Sequence, residues 1–258
     1  MLYQQRKYIN FLFKSTNHHG VHSPFIFNFI TKSLYKKTNK KSWQLFTKHK
    51  HKLLDNKKFI EVTDFGSGSK IFKSNLRQVA KIAKIAGISN KKGKILLKII
   101  NYFKPNAILE IGTSLGLATA VMKIAHPSTI ITTLEGCPET SKVADAYFTK
   151  SNFNSITIVT GNFNKTLAKV VKDKQYDCIY FDGNHTKKAT INYFETCLES
   201  AHNNSLFIFD DIYWNSEMQE AWQEIKNNNK VSVTLDLFYF GIVFFRKEQA
   251  KEDFKIRI

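Results

Sequence analysis

Five runs of acids, glycines and amides recur through the second half of the chain. They are Glu110-Ile-Gly112-Thr113-Ser114-Leu-Gly116, Glu135-Gly136, Gly161-Asn162-Phe163, Asp182-Gly-Asn184-His185 and Asp210-Asp211. In the first, an acid ends a β-rich stretch and two glycines bracket a turn into a helix. Gly112 lets the backbone approach a ligand, and Gly116 allows a helix to pack closely on a strand. Glu135 stands 25 positions after Glu110, where a carboxylate can accept both hydroxyl protons of a ribose. Gly161-Asn162-Phe163 opens a helix at a place that suits an adenine edge. Each run also has a plain structural use, glycine for a turn and Asp or Asn for a helix cap. Their recurrence in order is what points to a nucleoside site.

Elements of one architecture must hold these runs. Short β-rich stretches cover 107–111, 129–134, 155–160, 176–181 and 205–209, and helical stretches follow each, near 115–126, 138–151, 163–173, 186–201 and 215–228. Such alternation predicts an α/β fold, a parallel sheet covered on both faces by helices. The strands are mostly continuous apolar runs, as burial on both sides requires. Stretches 231–237 and 241–245 are too close for a crossover helix and are expected to pair as an antiparallel hairpin. Ligands of such a sheet sit beyond the carboxyl ends of its strands, which is where all five runs fall.

Upstream, residues 1–58 read as helical. Ser23-Pro24 supplies an N-cap and first-turn pair for a helix over 25–35, and Ser42 is a candidate cap for the next. Residues 59–70 read as a strand and a Gly/Ser turn, and 75–87 and 92–103 as two further helices. The division expected is a basic helical extension, 1–88, and an α/β domain, 89–258, that carries the five runs. The chain has 258 residues and a net charge of +18. Residues 1–105 hold 23 Lys and Arg against 3 Asp and Glu, whereas 106–258 hold 16 against 18. That asymmetry fits either a polyanion-binding platform or a lysine-decorated surface. Only four of the basic residues are Arg, which weighs against specific phosphate recognition.

The pattern Glu110-x-Gly-x-x-x-Gly116 with Glu135, Gly161-Asn162, Asp182 and the closing hairpin resembles a class I S-adenosylmethionine-dependent methyltransferase, over about residues 90–250. The resemblance implies a Rossmann-like, doubly wound seven-stranded sheet of order 3-2-1-4-5-7-6 with strand 7 antiparallel. It implies that Glu110, Gly112, Thr113, Ser114 and Gly116 surround the methionine part of S-adenosylmethionine. Glu135 with Gly136 would hold the ribose. Gly161, Asn162 and Phe163 would border the adenine, and Asp182 would also touch the cofactor. Asp182 followed 28 residues later by Asp210-Asp211 is similar to metal-dependent small-molecule O-methyltransferases of the catechol and macrocin types. There the matching acids bind Mg²⁺, a cation suited to hard oxygen ligands and able to acidify an acceptor hydroxyl. The chain departs from the macrocin pattern at Asn184, which stands where a second Asp serves as base. His185 is the expected substitute, because imidazole exchanges protons near neutrality.

Other motifs lead elsewhere. Val62–Ser69 imitates a methyltransferase glycine loop, but two helices follow it instead of a strand ending in an acid. It reads as a turn, or as a loop over the cofactor or acceptor site. His18, His19 and His22 lack the neighbouring carboxylate or thiolate a metal site would use, and a segment folding over the active-site mouth is the functional alternative. This stretch and Asp210-Asp211-Ile-Tyr-Trp are similar to bacterial methyltransferases with the same extension. Tyr213 and Trp214 would wall the acceptor pocket. The expected reaction is O-methylation of a small molecule, with an RNA methyltransferase as the alternative. The glycine spacing argues against a nicotinamide oxidoreductase, and a cofactor-binding protein without activity is the non-enzymatic reading. The longest apolar run, Leu237–Phe245, has nine residues, far short of the roughly 20 a spanning helix needs. No membrane partner is expected, and the oligomeric state is open. Three scattered cysteines form no disulfide framework, which favours the cytoplasm.

Overall fold

The computed structural model describes residues 2–63, 72 and 74–258. Among the described residues, ten strands and ten α-helices alternate through most of the chain. A two-stranded antiparallel sheet pairs β1 (Phe59–Glu61) with β2 (Leu76–Gln78). The larger sheet contains β3 (Ala107–Ile111), β4 (Ile130–Glu135), β5 (Ile156–Thr160), β6 (Cys178–Phe181), β7 (Leu206–Asp210), β8 (Val233–Asp236), β9 (Phe240–Phe244) and β10 (Glu252–Lys255). Its order is β10-β8-β9-β7-β6-β3-β4-β5. Numbered from β3, seven of these strands follow the expected order 3-2-1-4-5-7-6, with β9 antiparallel to both neighbours. The eighth, β10, corrects the expectation of seven. It pairs parallel to β8 at the edge, where one side of the strand needs no partner, so a charged sequence suffices.

The chain forms two compact units, residues 37–169 and residues 1–36 with 170–258. In the first, β3, β4 and β5 are parallel neighbours. Helix α3 (Lys40–Leu54) packs on α4 (Val79–Ile85) and α6 (Leu117–Ala125), and α5 (Asn90–Phe103) packs on α6. The N-cap of α3 is Asn39, whose side chain accepts from the Ser42 N–H. Ser42 is therefore the residue being capped. The helix expected from residue 75 begins only at 79, because Leu76–Gln78 extend to pair with β1. Helix α7 (Pro138–Lys150) packs on β4 and β5.

In the second unit, β6, β7, β9 and β8 bury almost every side chain. Helices α9 (Lys187–Cys197) and α10 (Ser216–Asn227) pack together, and Trp222 of α10 lies where a Cβ on Gly241 of β9 would intrude at 2.7 Å. Helix α1 (Leu2–Lys14) sets Tyr8 and Phe11 against Phe238 in the β8–β9 turn, at ring separations of 4.8 and 5.5 Å. Helix α2 (Pro24–Phe29) opens with Ser23 capping and Pro24 in the first turn, as its sequence predicts. It continues as a π-helical turn over Ile30–Leu34 and sets Phe25 edge-on to Phe244 at 5.0 Å. Among the described residues no helix is long and apolar enough to cross a membrane.

Candidate active site

The glycine loop after β3 is built on left-handed backbone. Gly112, Ser114 and Gly116 have φ of 107°, 49° and 74°, a region that favours glycine. A Cβ on Gly116 would stand 2.3 Å from the Phe148 ring. The loop is pinned to the next strand by the N–H groups of Gly112 and Thr113, both donating to the Leu134 carbonyl. The Thr113 and Thr133 hydroxyls also pair.

Two acids face this loop from strand ends. Glu135 accepts from the Ser114 N–H at 2.6 Å and from the Cys137 N–H at 2.8 Å, so its carboxylate spans the turn. Burial raises its pKa, and these N–H groups oppose the rise. Glu110 is fully buried. One oxygen accepts the hydroxyls of Thr119 and Thr133, whereas the other, Oε1, has no hydrogen-bond partner. Burial pushes this acid up to about 8, against the help of both threonines and with a smaller push from Glu135. A neutral buried acid with an unmet oxygen suits a ligand that brings a donor or a positive charge.

Beyond β5, Gly161 has φ 145° and donates its N–H to the Glu135 carbonyl. Asn162 accepts from the Asn164 N–H at 2.9 Å, a turn that starts α8 (Phe163–Val171). Its side chain thus performs the structural task that its residue type suggests. Gly136 follows Glu135 at the end of β4 and Phe163 begins α8.

The remaining expected residues lie in the second unit. Phe181 and Phe209 are in register across β6 and β7, so Asp182 and Asp210 end adjacent strands. The Tyr180 hydroxyl lies 3.3 Å from Asp182 Oδ2 and 3.1 Å from Asp210 Oδ2. This third member escaped the sequence reading. Its signal is the period of two that puts Tyr180 and Asp182 on one face of a strand. His185 Nε2 stands 3.7 Å from Asp182 Oδ1, and its ring is 6.2 Å from that of Trp214. Asn184 has φ 50° and hydrogen-bonds Tyr193.

Asp211 donates its N–H to Asp210 Oδ1, while the cap of α10 is Asn215. Among the described residues no three His, Cys, Asp or Glu side chains gather around one ion position. Asp182 and Asp210 meet at the Tyr180 hydroxyl, and Asp211 follows Asp210 in the chain. Tyr213 is buried, with its hydroxyl on Asp236 at 2.6 Å. Burial and then Asp236 raise its pKa. Trp214 keeps an exposed edge. His18 sits in a short 3₁₀ turn, against Tyr35 and His19. Of the loop Val62–Ser69, residues 64–69 lie outside the described residues.

Several solved methyltransferase structures share this fold. The SAH-bound methyltransferase PaMTH1 of Podospora anserina superposes with a TM-score of 0.62 at 15% identity, covering 83% of this chain and 92% of that one. Cofactor-bound Rv0187 from MTB gives 0.56 at 15% identity, covering 88% and 99%. An O-methyltransferase from Bacillus cereus in complex with SAH gives 0.54 at 16%, covering 84% and 96%. At such identities the likeness speaks to the fold. No curated protein matches the chain by sequence. A family model does: residues 67–256 match the family described as O-methyltransferase, and the chain belongs to that family.

Proposed function

We propose that the protein transfers the methyl group of S-adenosylmethionine to a hydroxyl of a small-molecule acceptor, in the cytoplasm. The observation that carries this reading is the series of strand-end acids, Glu110, Glu135, Asp182 and Asp210, in a chain of the O-methyltransferase family. S-adenosylmethionine, when bound, supplies an electrophilic methyl group. Residues of the glycine loop, Gly112, Thr113, Ser114 and Gly116, approach its amino-acid end. Glu110 Oε1 meets the charge there. Glu135 and Gly136 take the ribose hydroxyls, and Gly161, Asn162 and Phe163 border the base. His185 accepts the acceptor's proton, and Asp182 at 3.7 Å stabilises the imidazolium that results. Trp214 lines the acceptor side. Residues 1–88 act as an extension that shapes the acceptor site, and 89–258 as the catalytic domain. The seating of α1 on Phe238 supports that role.

A second reading adds Mg²⁺ held by Asp182 and Asp210, with Asp211 beside them. It is favoured by the two carboxylates meeting at the Tyr180 hydroxyl. Thermal-shift titration separates these possibilities, since a ligand that binds only the native state raises the midpoint. S-adenosylmethionine and S-adenosylhomocysteine should raise it and NAD(H) should not. A further gain with Mg²⁺, abolished by EDTA, would add the metal. No shift with either sulfur nucleoside, on folded and ligand-stripped protein, would sink the reading.

A further inference from the structure

Helix α1 has two apolar faces and uses only one. Tyr3, Tyr8 and Phe11 turn inward, with Phe11 3% exposed and the Tyr3 hydroxyl on Gln219 at 2.8 Å. The opposite face presents Leu2, Ile9, Leu12 and Phe13, which are 84%, 57%, 38% and 86% exposed. Positions 2, 9 and 13 fall within a narrow arc of a 3.6-residue helix, so these side chains form a stripe. An apolar stripe this exposed marks an interaction surface.

Charge identifies what covers it. Arg6 lies beside Phe13 at the border of this arc, and Lys14 stands in the last turn of the helix. Both are exposed. The helix has no acid, and the first acidic residue of the whole chain is Asp55. Two copies of this face about a twofold axis would bring like charges together with no acid to balance them. An anionic lipid surface instead takes apolar side chains into its acyl boundary and cationic ones at its headgroups. We infer that α1 docks the protein on an anionic membrane surface by laying this stripe in the interface. This is a mode distinct from spanning, and it holds whatever the acceptor proves to be.

Vesicle co-sedimentation of the full chain tests it. Vesicles of equal parts phosphatidylglycerol and phosphatidylcholine are compared with phosphatidylcholine alone. The wild-type protein should pellet with the anionic vesicles only. Ile9→Ser/Phe13→Ser keeps every charge and should weaken that binding by roughly tenfold or more. Arg6→Glu/Lys14→Glu keeps the stripe and should weaken it too. Both variants change exposed side chains and should melt with the wild type. Failure of the wild type to bind overturns the inference. So does undiminished binding of Ile9→Ser/Phe13→Ser, which would mean adsorption by net charge. A dimer in sedimentation velocity that the same variant dissolves would also overturn it, in favour of a second copy.

Discussion

At Glu110 the unmet Oε1 atom and the burial together make an unfavourable carboxylate. The native acid titrates near 8, against about 4.5 for an ordinary glutamate. Between those values the unfolded chain gives up a proton that the folded chain keeps. Stability is thus present in full below about 4.5 and is lost as the pH rises through about 8. The ligand-free melting temperature should fall across that window, and Glu110→Gln, which cannot ionise, should flatten the fall. Wild-type and Glu110→Gln profiles of equal slope would refute the assignment. His185 and Asp182 lend themselves to kinetics. Loss of a positioned general base costs about 10²- to 10⁴-fold, so His185→Ala should lower kcat by that order with KM little changed. Asp182→Asn leaves the imidazole in place and should cost less. An acceptor-methylation assay in which His185→Ala keeps full kcat would move the base elsewhere.

At the scale of elements, the glycine loop is rigid by construction. Gly116→Ala combines a left-handed residue, costing about 1–2 kcal/mol, with a Cβ 2.3 Å from Phe148, an overpacking of about 1–3 kcal/mol. Denaturant unfolding should show a loss of about 2–5 kcal/mol, partly recovered by adding Phe148→Leu. A loss below about 1 kcal/mol would mean that the loop re-forms around the methyl group. Buried parallel strands were the legible elements: Ala107–Ile111 was read to the residue, because a strand buried on both faces must be apolar throughout. Two strands with little to bury were not. Leu76–Gln78 is mostly exposed or half-exposed and was absorbed into the helical pattern that follows it. Glu252–Lys255 carries three charges and buries only Phe254. The strand-end acids were legible from their spacing, whereas the Tyr180 bridge was not. An inward-facing tyrosine on a buried strand looks like core until its hydroxyl is located.

At the scale of the molecule, the least legible feature is that residues 1–36 fold with 170–258. Much of that association runs through the C-terminal segment. The Thr16 N–H donates to the Lys255 carbonyl at 2.9 Å, and the Arg257 N–H donates to the Thr16 carbonyl at 3.2 Å. The Tyr35 hydroxyl donates to the Arg257 carbonyl at 3.3 Å. Lys255 Nζ also reaches the Tyr213 hydroxyl at 3.2 Å and Asp236 at 3.4 Å, which ties β10 to the residues under α1. Phe254 and Ile256 are buried, and burial of each contributes about 1.5–3 kcal/mol. Removing residues 250–258 should therefore leave the seven-stranded sheet folded but destabilised by several kcal/mol, about 3–6 by that measure. The N-terminal helices would lose their strand partner first. Limited trypsinolysis should then cut after Arg6, Lys7 and Lys14 well before the rest of the chain, while the intact protein resists at those positions. If the shortened protein kept that resistance, Phe238 and Gln219 alone would hold α1, and β10 would be an edge strand without a role in docking the N-terminus.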